Sequence, residues 1–237
     1  MSTQEILDFF KDLSFDSEAH KYYVNDVPIR RSVSQIIKDF VKPFDREGIA
    51  NRVAMSKGVT VESILEDWDR KRDFSIDRGN RVHDFGERYM IDRTLKPSDG
   101  FEEAVVKFWN DLPDFVVPIL PELQMYHKQF MFAGTADIIL YNTATKQYII
   151  ADYKTNEDLF KNYKNQKMLG LFNNMLDMPF SKYELQFSFY QILFEQLGLK
   201  VNSRKLIWLK GDGTYSLYDT EDYTTVLNDY LTATHEN

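Results

Sequence analysis

The stretch Gly134–Thr155, GTADIILYNTATKQYIIADYKT, decides the fold that the sequence predicts. It contains two apolar runs rich in β-branched and aromatic residues, Ala136–Tyr141 and Tyr148–Tyr153, separated by the polar segment Thr143–Lys146. Two such runs joined by a short polar segment are typical of a β-hairpin. We expect two antiparallel strands in the middle of a sheet, because both runs are apolar enough to be central strands.

The register of this hairpin brings two acidic side chains together. If the polar segment is the loop, Asn142 pairs with Gln147, and counting back along both strands places Asp137 opposite Asp152. Because side chains alternate along a strand, Asp137, Asp152 and Lys154 share one face of the sheet. The hairpin is therefore expected to carry two carboxylates and one ammonium at a single point.

Two carboxylates that face each other on a sheet repel, and burial raises the cost unless a cation lies between them. Hard oxygen ligands of this kind suit Mg²⁺ or Mn²⁺. Lys154 would add an ammonium beside the metal, a combination that suits an anionic transition state such as a phosphodiester attacked by water. The alternative is a hairpin with solvated polar residues on its outer face. The two aspartates interrupt otherwise apolar runs, which favours the functional interpretation.

The same residues resemble a known family. The strings GTAD at 134–137 and IIADYKT at 149–155 are similar to the core motif of the PD-(D/E)XK nuclease superfamily. Ala136 stands where that motif usually has proline, which is a minor departure.

Two further motifs resemble those of the RecB-like exonuclease branch of this superfamily, which includes phage-type and mitochondrial genome maintenance exonucleases. His83, in RGNRVHDFGERY, is similar to the helix-borne histidine of the branch. Gln186 and Tyr190, in ELQFSFYQILFE, are similar to its QxxxY motif. The resemblance spans about residues 79–197.

The resemblance implies an α/β fold with a PD-(D/E)XK restriction-endonuclease-like core, in which a mixed central β-sheet is flanked by helices. We expect a single nuclease domain over residues 1–237, with an N-terminal helical elaboration over residues 1–78 and the catalytic core over residues 79–237.

The implied activity is Mg²⁺- or Mn²⁺-dependent hydrolysis of DNA, as an exonuclease acting on ends with single-stranded character. Asp137 and Asp152 would bind the metal, together with His83 and the backbone carbonyl of Tyr153. Lys154 would position the attacking water or stabilise the charged phosphorane.

Several further residues are candidates for supporting roles. Thr155, Gln186 and Tyr190 would orient the substrate or the metal ligands. Glu87 shares a helical face with the histidine four residues before it, and either orients that histidine or serves a second metal. Glu122 is an extra carboxylate near the metal or an edge-strand charge, and the sequence does not choose between the two.

Arg30 and Arg31 precede a helix predicted over Val33–Val41, for which Ser32 is the expected N-cap. Guanidinium groups and backbone amides at such a position can contact a phosphate. A solvated pair of arginines in a loop fits the sequence equally well.

Local patterns predict the remaining elements. Asn25-Asp26 is a turn signal within a hairpin over His20–Ile29, and the charged run before Asp77 is interpreted as a solvated face or a junction. The other expected elements are a helix over Asn80–Ile91 capped by Asp77, a buried helix over Tyr183–Gly198, a hairpin over Lys205–Tyr218 and a final helix over Tyr223–Thr234.

The composition restricts the class of protein. The 237 residues carry a net charge of −8, which argues against gripping duplex DNA by general charge alone but not against a local basic groove. The aromatic content of 15% suits stacking on unpaired bases. Without cysteine there is no iron–sulfur cluster or disulfide, and we expect an intracellular protein of the phage or mobile-element kind. No apolar run approaches the ~20 residues of a membrane span.

DNA is the expected partner, and the resemblance adds recombination or replication proteins. Two alternatives remain: a structure-specific endonuclease, and a catalytically silent relative that binds DNA or a protein. The presence of the full set of motif residues argues against the catalytically silent alternative; these residues are Asp137, Asp152, Lys154, Gln186 and Tyr190. The oligomeric state stays open.

Overall fold

The computed structural model describes residues 1–19 and 21–235. His20, at the start of the predicted N-terminal hairpin, lies outside the described residues. The helices are α1 Thr3–Phe9, α2 Val33–Ile37, α3 Arg46–Lys57, α4 Val61–Ile91, α5 Gly100–Asp111, α6 Pro179–Glu195 and α7 Thr224–His235. The strands are β1 Leu13–Asp16, β2 Lys21–Val24, β3 Val27–Pro28, β4 Arg31–Ser32, β5 Val116–Tyr126, β6 Phe132–Asn142, β7 Gln147–Lys154, β8 Val201–Leu209 and β9 Tyr215–Asp219.

A mixed sheet forms the centre of the molecule. Within the described residues its strand order is β4-β6-β7-β8-β9, and β5 pairs with β6. The pairs β4–β6 and β7–β8 are parallel, and the other pairs are antiparallel. Strands β1, β2 and β3 form a separate antiparallel sheet. The expected α/β class, with a mixed sheet flanked by helices, is confirmed at this level.

The central hairpin has the register that the sequence predicts. Its residue pairs run from Asn142↔Gln147 to Ile138↔Ala151, so the next step along both strands brings Asp137 and Asp152 together. Asn142 closes the turn, because its side-chain oxygen accepts hydrogen bonds from two backbone amides of the loop at 3.0 and 3.1 Å. Strand β6 begins at Phe132, before the predicted Ala136.

Two cores cover the two faces of the sheet. Helices α2, α6 and α7 pack on the face that carries Ile139 and Ile150. Helices α4 and α5 pack on the opposite face, which carries Ile138, Ala151 and Tyr153. Helix α6 is buried on almost every side, as its apolar sequence predicts. The alternation of side chains along β6 and β7 divides the two cores.

Helix α4 differs from the expectation. It is one continuous helix that begins after the N-cap Thr60 and ends at Ile91, so Asp77 lies inside it and caps nothing. Of the two interpretations of the charged run, the solvated face is correct and the junction is not, because Asp67 forms ion pairs with Arg70 and with Lys71 at helical spacing on the exposed surface of α4.

The expected boundary between residues 78 and 79 falls inside α4, where the backbone has no break. The segment before it is only partly helical, since it also contains β1–β4. Strand β4 joins the central sheet through Arg31↔Phe132 and Ser32↔Ala133, so this segment takes part in the core architecture.

Most other local predictions are confirmed, although α2 ends at Ile37 and not at Val41. Asn25 and Asp26 form the turn between β2 and β3, both with positive φ, and Ser32 caps α2 with a reciprocal capping box. Strands β8 and β9 form the closing hairpin, and α7 follows it. Across the described ranges, no helix combines the length and apolar character needed to cross a membrane.

Candidate metal centre

Three neighbouring strands each contribute an acidic residue to one row across the sheet. The β5–β6 pairs Pro121↔Ile138 and Leu123↔Ala136 leave Glu122 opposite Asp137. The β6–β7 hairpin places Asp152 next in the row. Glu122 has a φ of 43°, which is unusual for a residue other than glycine. Backbone strain of this kind, about 1–3 kcal/mol, is found preferentially at functional sites.

The Asp137 carboxylate is buried, with 8% of the residue exposed. Its Oδ2 accepts a hydrogen bond from the backbone amide of Tyr153 at 2.8 Å and lies 3.0 Å from Nδ1 of His83. Helix α4 thus delivers an imidazole from one face of the sheet to a carboxylate held by the hairpin.

The Asp152 carboxylate is more deeply buried, with 1% of the residue exposed. Its Oδ2 accepts a hydrogen bond from Nζ of Lys154 at 2.7 Å. Its Oδ1 is buried and has no hydrogen-bond partner within the described part of the chain. A buried carboxylate oxygen without a donor costs free energy, so this atom has the environment of a ligand atom.

One nitrogen of His83 and one oxygen each of Asp137 and Asp152 lie within 4.8 Å of one another. Imidazole and carboxylate groups so close together form a donor set that can hold a divalent metal ion. The orphaned Oδ1 of Asp152 supports the same conclusion. Because the chain has no cysteine, thiolate ligands for an iron–sulfur cluster are absent.

The two aspartates have opposite pKa shifts. Burial, followed by the charge of Asp137, raises the pKa of Asp152 well above its usual value. Burial also opposes ionisation of Asp137, but the charge of the neighbouring His83 and its hydrogen bond to Asp137 lower the pKa of Asp137 overall. In the absence of a cation, the pair therefore takes up a proton more readily on Asp152 than on Asp137, which relieves the repulsion between the two carboxylates.

The two basic groups keep their charge beside these carboxylates. Burial opposes protonation of His83, but Asp137 and Glu122 raise its pKa well above the ordinary value. Burial also opposes the charge on Lys154, and Asp152 and Asp137 raise its pKa above the ordinary value. Lys154 Nζ also lies 4.7 Å from the centre of the Tyr183 ring, which helps to hold the ammonium in place.

Gln186 and Tyr190 project together from α6, as predicted. The Gln186 amide donates to the Tyr190 hydroxyl at 2.8 Å, and its own Oε1 is buried without a partner. Burial, and next the charge of Asp152, raises the pKa of Tyr190 well above its usual value. The Tyr190 ring is buried, so it cannot stack on a base in this conformation.

The two acids predicted to support the site, Glu122 and Glu87, are placed differently relative to His83. Oε1 of Glu122 lies 3.9 Å from Nδ1 of His83, so this acid adjoins the metal ligands. Burial is the main reason that the pKa of Glu122 is raised, and the charge of Glu87 adds to the shift. Glu87 makes no described hydrogen bond with His83, whose Nδ1 faces Asp137 and Glu122. A second-metal role for Glu87 stays a prediction.

Arg30 and Arg31 line a different cavity, of about 270 Å³, bordered by α7. Arg31 is paired with Asp39 through two hydrogen bonds of 2.7 Å, and Tyr230 donates to the same carboxylate at 2.6 Å. The structure therefore gives Arg31 a packing role, and its contact with a phosphate stays a prediction.

Two glycines allow helices to approach the site. A Cβ on Gly86 of α4 would lie 2.5 Å from the ring of Tyr153. A Cβ on Gly134 of β6 would lie 2.8 Å from the ring of Tyr190. Real side chains do not tolerate such distances, so both glycines permit close packing of a helix on a strand.

Residues outside the sequence-based set also contact the site. The Tyr22 hydroxyl lies 2.8 Å from Oγ1 of Thr135. Arg78 donates to the backbone carbonyl of Thr155 at 2.9 Å. Thr135 lies inside the GTAD string and was within reach of sequence reasoning. Tyr22 and Arg78 come from other parts of the chain, and no local pattern indicates them.

An open cleft of about 920 Å³ reaches the candidate centre. His83, Lys154 and Thr155 line one part of it, and residues of the first half of α4 line another. Six lysine or arginine residues line the cleft, namely Arg70, Lys71, Arg72, Arg78, Lys154 and Lys161. Three acidic residues line it, namely Asp67, Glu157 and Asp158. The cleft is therefore basic although the whole chain carries −8.

Comparison with known proteins gives no family assignment. No protein-family model and no curated protein matches the chain. One similar solved structure is described as the crystal structure of SSO0001. It aligns with a TM-score of 0.34 and 15% sequence identity, over 86% of this chain and 82% of that chain. At this TM-score the likeness supports no conclusion about fold or function.

Proposed function

We propose that this protein is a metal-dependent nuclease with a PD-(D/E)XK core of the RecB-like type, and that it hydrolyses phosphodiester bonds of DNA. The observation that carries the proposal is the orphaned Oδ1 of Asp152. It lies in a buried cluster with Asp137 and His83, at the end of a basic cleft. A buried carboxylate pair that lacks a counter-charge on one oxygen suits a cation, and a basic cleft suits a polyanion.

His83, Asp137 and Asp152 would hold Mg²⁺ or Mn²⁺, with the backbone carbonyl of Tyr153 as the further ligand that the resemblance implies. When bound, the ion supplies Lewis acidity and lowers the pKa of a coordinated water. The protein's own contribution is to fix the ligands. The backbone amide of Tyr153 holds Asp137, and Glu122 lies on the other side of His83.

Lys154 is the candidate for stabilising charge on the reacting phosphate. Its ammonium is held by Asp152 and lies against the Tyr183 ring, so its position is fixed before substrate arrives. Preorganised charge of this kind stabilises a transition state without further rearrangement. Gln186 and Tyr190 form a hydrogen-bonded pair beside the carboxylates and would orient the ligands from the side of α6.

We infer that the enzyme acts as an exonuclease on DNA ends with single-stranded character. The QxxxY and histidine motifs support the RecB-like assignment, and the aromatic composition suits unpaired bases. The alternatives are a structure-specific endonuclease and a catalytically silent binding protein.

End-labelled linear single-stranded DNA, incubated with Mg²⁺, Mn²⁺ or EDTA, tests the proposal. We expect metal-dependent shortening of the linear strand, with Lys154→Ala protein inactive and a circular strand left intact. The position of the label then gives the polarity of digestion.

Each failure has a distinct meaning. Cleavage of the circular strand would replace the exonuclease with an endonuclease. Absence of cleavage with either metal, on both single-stranded and duplex DNA, would overturn the enzyme and favour the silent binding protein. Cleavage by Lys154→Ala protein at the wild-type rate would remove Lys154 from the reaction.

A further inference from the structure

Three of the six basic residues along the cleft are paired with acidic residues of the same helix, α4. Arg70 and Lys71 both pair with Asp67, at 3.1 and 2.8 Å. Arg72 pairs with Asp69 at 2.6 Å and with Asp73 at 2.8 Å. Such pairs at helical spacing stabilise the helix and leave little charge for a ligand.

Arg78 is different. Among the described residues it has no acidic partner within ion-pair distance, and its Nε is buried without any hydrogen-bond acceptor. One terminal nitrogen donates to the backbone carbonyl of Thr155, directly after the active-site strand β7. Its guanidinium carbon lies 4.9 Å from the centre of the Phe101 ring. Arg78 is therefore fixed in place while part of its hydrogen-bonding capacity is unused.

Arg81, on the same helix, shows what a purely structural arginine looks like here. It pairs with Glu102 at 2.7 Å and also with Asp99, which ties α4 to the start of α5. Arg81 does not line the cleft, whereas Arg78 does. Arg78 thus borders the cleft with no acidic partner among the described residues, whereas Arg81 has two.

An exposed aromatic ring lies beside Arg78. The guanidinium carbon of Arg78 is 5.7 Å from the centre of the Phe74 ring, and both residues line the cleft. Phe74 is 65% exposed although it is a large apolar residue. A ring in this position offers a free face for stacking on a nucleobase.

We propose that Arg78 and Phe74 form a nucleotide-binding subsite for single-stranded DNA, adjoining the candidate metal centre. Arg78 binds a backbone phosphate through its guanidinium group, and Phe74 stacks on an unpaired base. Bases within a duplex are already stacked on their neighbours, so Phe74 favours the single strand. This inference rests on the proposed function, because it names the substrate class of the same site.

Binding measured in EDTA tests the subsite without any hydrolysis. Fluorescence anisotropy would follow a short labelled oligothymidine and, separately, a blunt hairpin duplex of equal length. We expect Arg78→Gln to raise the Kd for the single strand about tenfold or more, since a charged hydrogen bond is lost. The slope of log Kd against log salt should also fall by about 0.7, the change for one phosphate contact.

We expect Phe74→Leu to raise the Kd for the single strand about fivefold or more, which is the weaker end of base–aromatic stacking. The Kd for the hairpin duplex should stay unchanged. Arg52→Gln and Phe115→Leu are matched controls, because Arg52 and Phe115 are exposed and do not line the cleft. Both controls should bind like the wild type.

Wild-type binding by Arg78→Gln protein would overturn the phosphate contact. Equal losses on single strand and duplex in Phe74→Leu protein would overturn the stacking role. If Arg78→Gln lowers the thermal midpoint, Arg78→Lys and the exposed Phe74→Leu decide instead, and an unchanged affinity in both overturns the subsite. Loss of hydrolysis is scored separately, so a failed nuclease assay leaves these results readable.

Discussion

Two polar clusters with buried members share helix α6 and differ in how their charges are balanced. The carboxylate cluster consists of Asp137, Asp152, Lys154 and His83. The Arg204 cluster consists of Arg204, Gln191, Asp222 and the backbone carbonyl of Thr220. Both lie beneath the same helix, which contributes Gln186 and Tyr190 near the first and Gln191 to the second.

In the Arg204 cluster a single cation meets several acceptors. Arg204 donates to Gln191, to Thr220 at 3.0 Å and to Asp222 at 3.4 Å, and its Nε has no acceptor among the described residues. Burial opposes ionisation of Asp222, but hydrogen bonds from Thr224 and the charge of Arg204 lower its pKa. The charges of this cluster support the folded state.

In the carboxylate cluster the pKa of Asp152 is raised, whereas the pKa of Asp222 in the Arg204 cluster is lowered. Its buried oxygen has no donor, and another carboxylate adjoins it. The comparison teaches that one cluster balances its charge within the fold, whereas the other keeps a buried carboxylate oxygen unbalanced, as the proposed metal site requires. Four predictions can break or sharpen this distinction, in order of decreasing effect.

Asp152→Asn should reduce DNA hydrolysis at least about 100-fold, because a carboxylate ligand of the proposed metal ion is replaced by a neutral amide. The free energy of unfolding in EDTA should stay equal or increase, since one buried carboxylate is removed. Activity assays and urea unfolding of the same preparation measure both. An Asp152→Asn protein that is inactive and also strongly destabilised would make Asp152 structural.

Arg204→Met should show the reverse pattern. We expect the free energy of unfolding to fall by about 1–3 kcal/mol, because buried acceptors lose their donor. Hydrolysis by the folded protein should stay at the wild-type rate. Urea unfolding checks the first statement, and Arg52→Met, on the exposed surface of α3, is the matched control. Equal stability of both variants would show that the Arg204 cluster contributes nothing.

Mn²⁺ should stabilise the wild type and Arg204→Met but not Asp152→Asn. At ten times its Kd, a ligand that binds only the folded state adds about 1.4 kcal/mol. For a chain of this size that raises the thermal midpoint by about 3–6 °C. Thermal scans with Mn²⁺ and with EDTA measure the shift. A full shift in Asp152→Asn would place the ion elsewhere.

The smallest expected effect is on the pH dependence of the free energy of unfolding in EDTA, which should differ in sign between the two clusters. Above pH 3.8 the folded state holds a proton on Asp152 that the unfolded chain has lost. The stability that Asp152 contributes is therefore lost as the pH rises through its raised pKa. His83 acts in the same direction above 6.5. Asp222 behaves oppositely, because its lowered pKa costs stability only as the pH falls below 3.8.

Thermal midpoints between about pH 5 and pH 8 test these signs. The wild type should lose stability as the pH rises, and Asp152→Asn should lose less. Arg204→Met should keep the wild-type slope, because Asp222 stays ionised throughout this range. A slope that is steeper in Asp152→Asn would reverse the assignment of the raised pKa.

Much of the site was within reach of the sequence. The polar loop of the β6–β7 hairpin fixed its register, so the approach of Asp137 and Asp152 followed from counting residues. Lys154 followed from alternation along β7. The buried character of α6 placed Gln186 beside Tyr190, one helical turn apart.

Other features were beyond a local pattern. The position of Glu122 opposite Asp137 depends on the turn between β5 and β6, whose length a polar stretch does not specify. The continuity of α4 through Asp77 was hidden, because ion pairs along an exposed helix resemble the charge pattern of a junction.

The sequence by itself determined the hairpin, its register and the approach of Asp137 to Asp152, because these depend on neighbours along the chain. Only the tertiary structure decided that His83 faces Asp137 and Glu122, that one oxygen of Asp152 has no donor, and that Arg78 meets Thr155. The physical reason is that these contacts join distant segments, and packing of helices on the sheet sets them. Burial and the pairing of charges are likewise properties of the assembled fold.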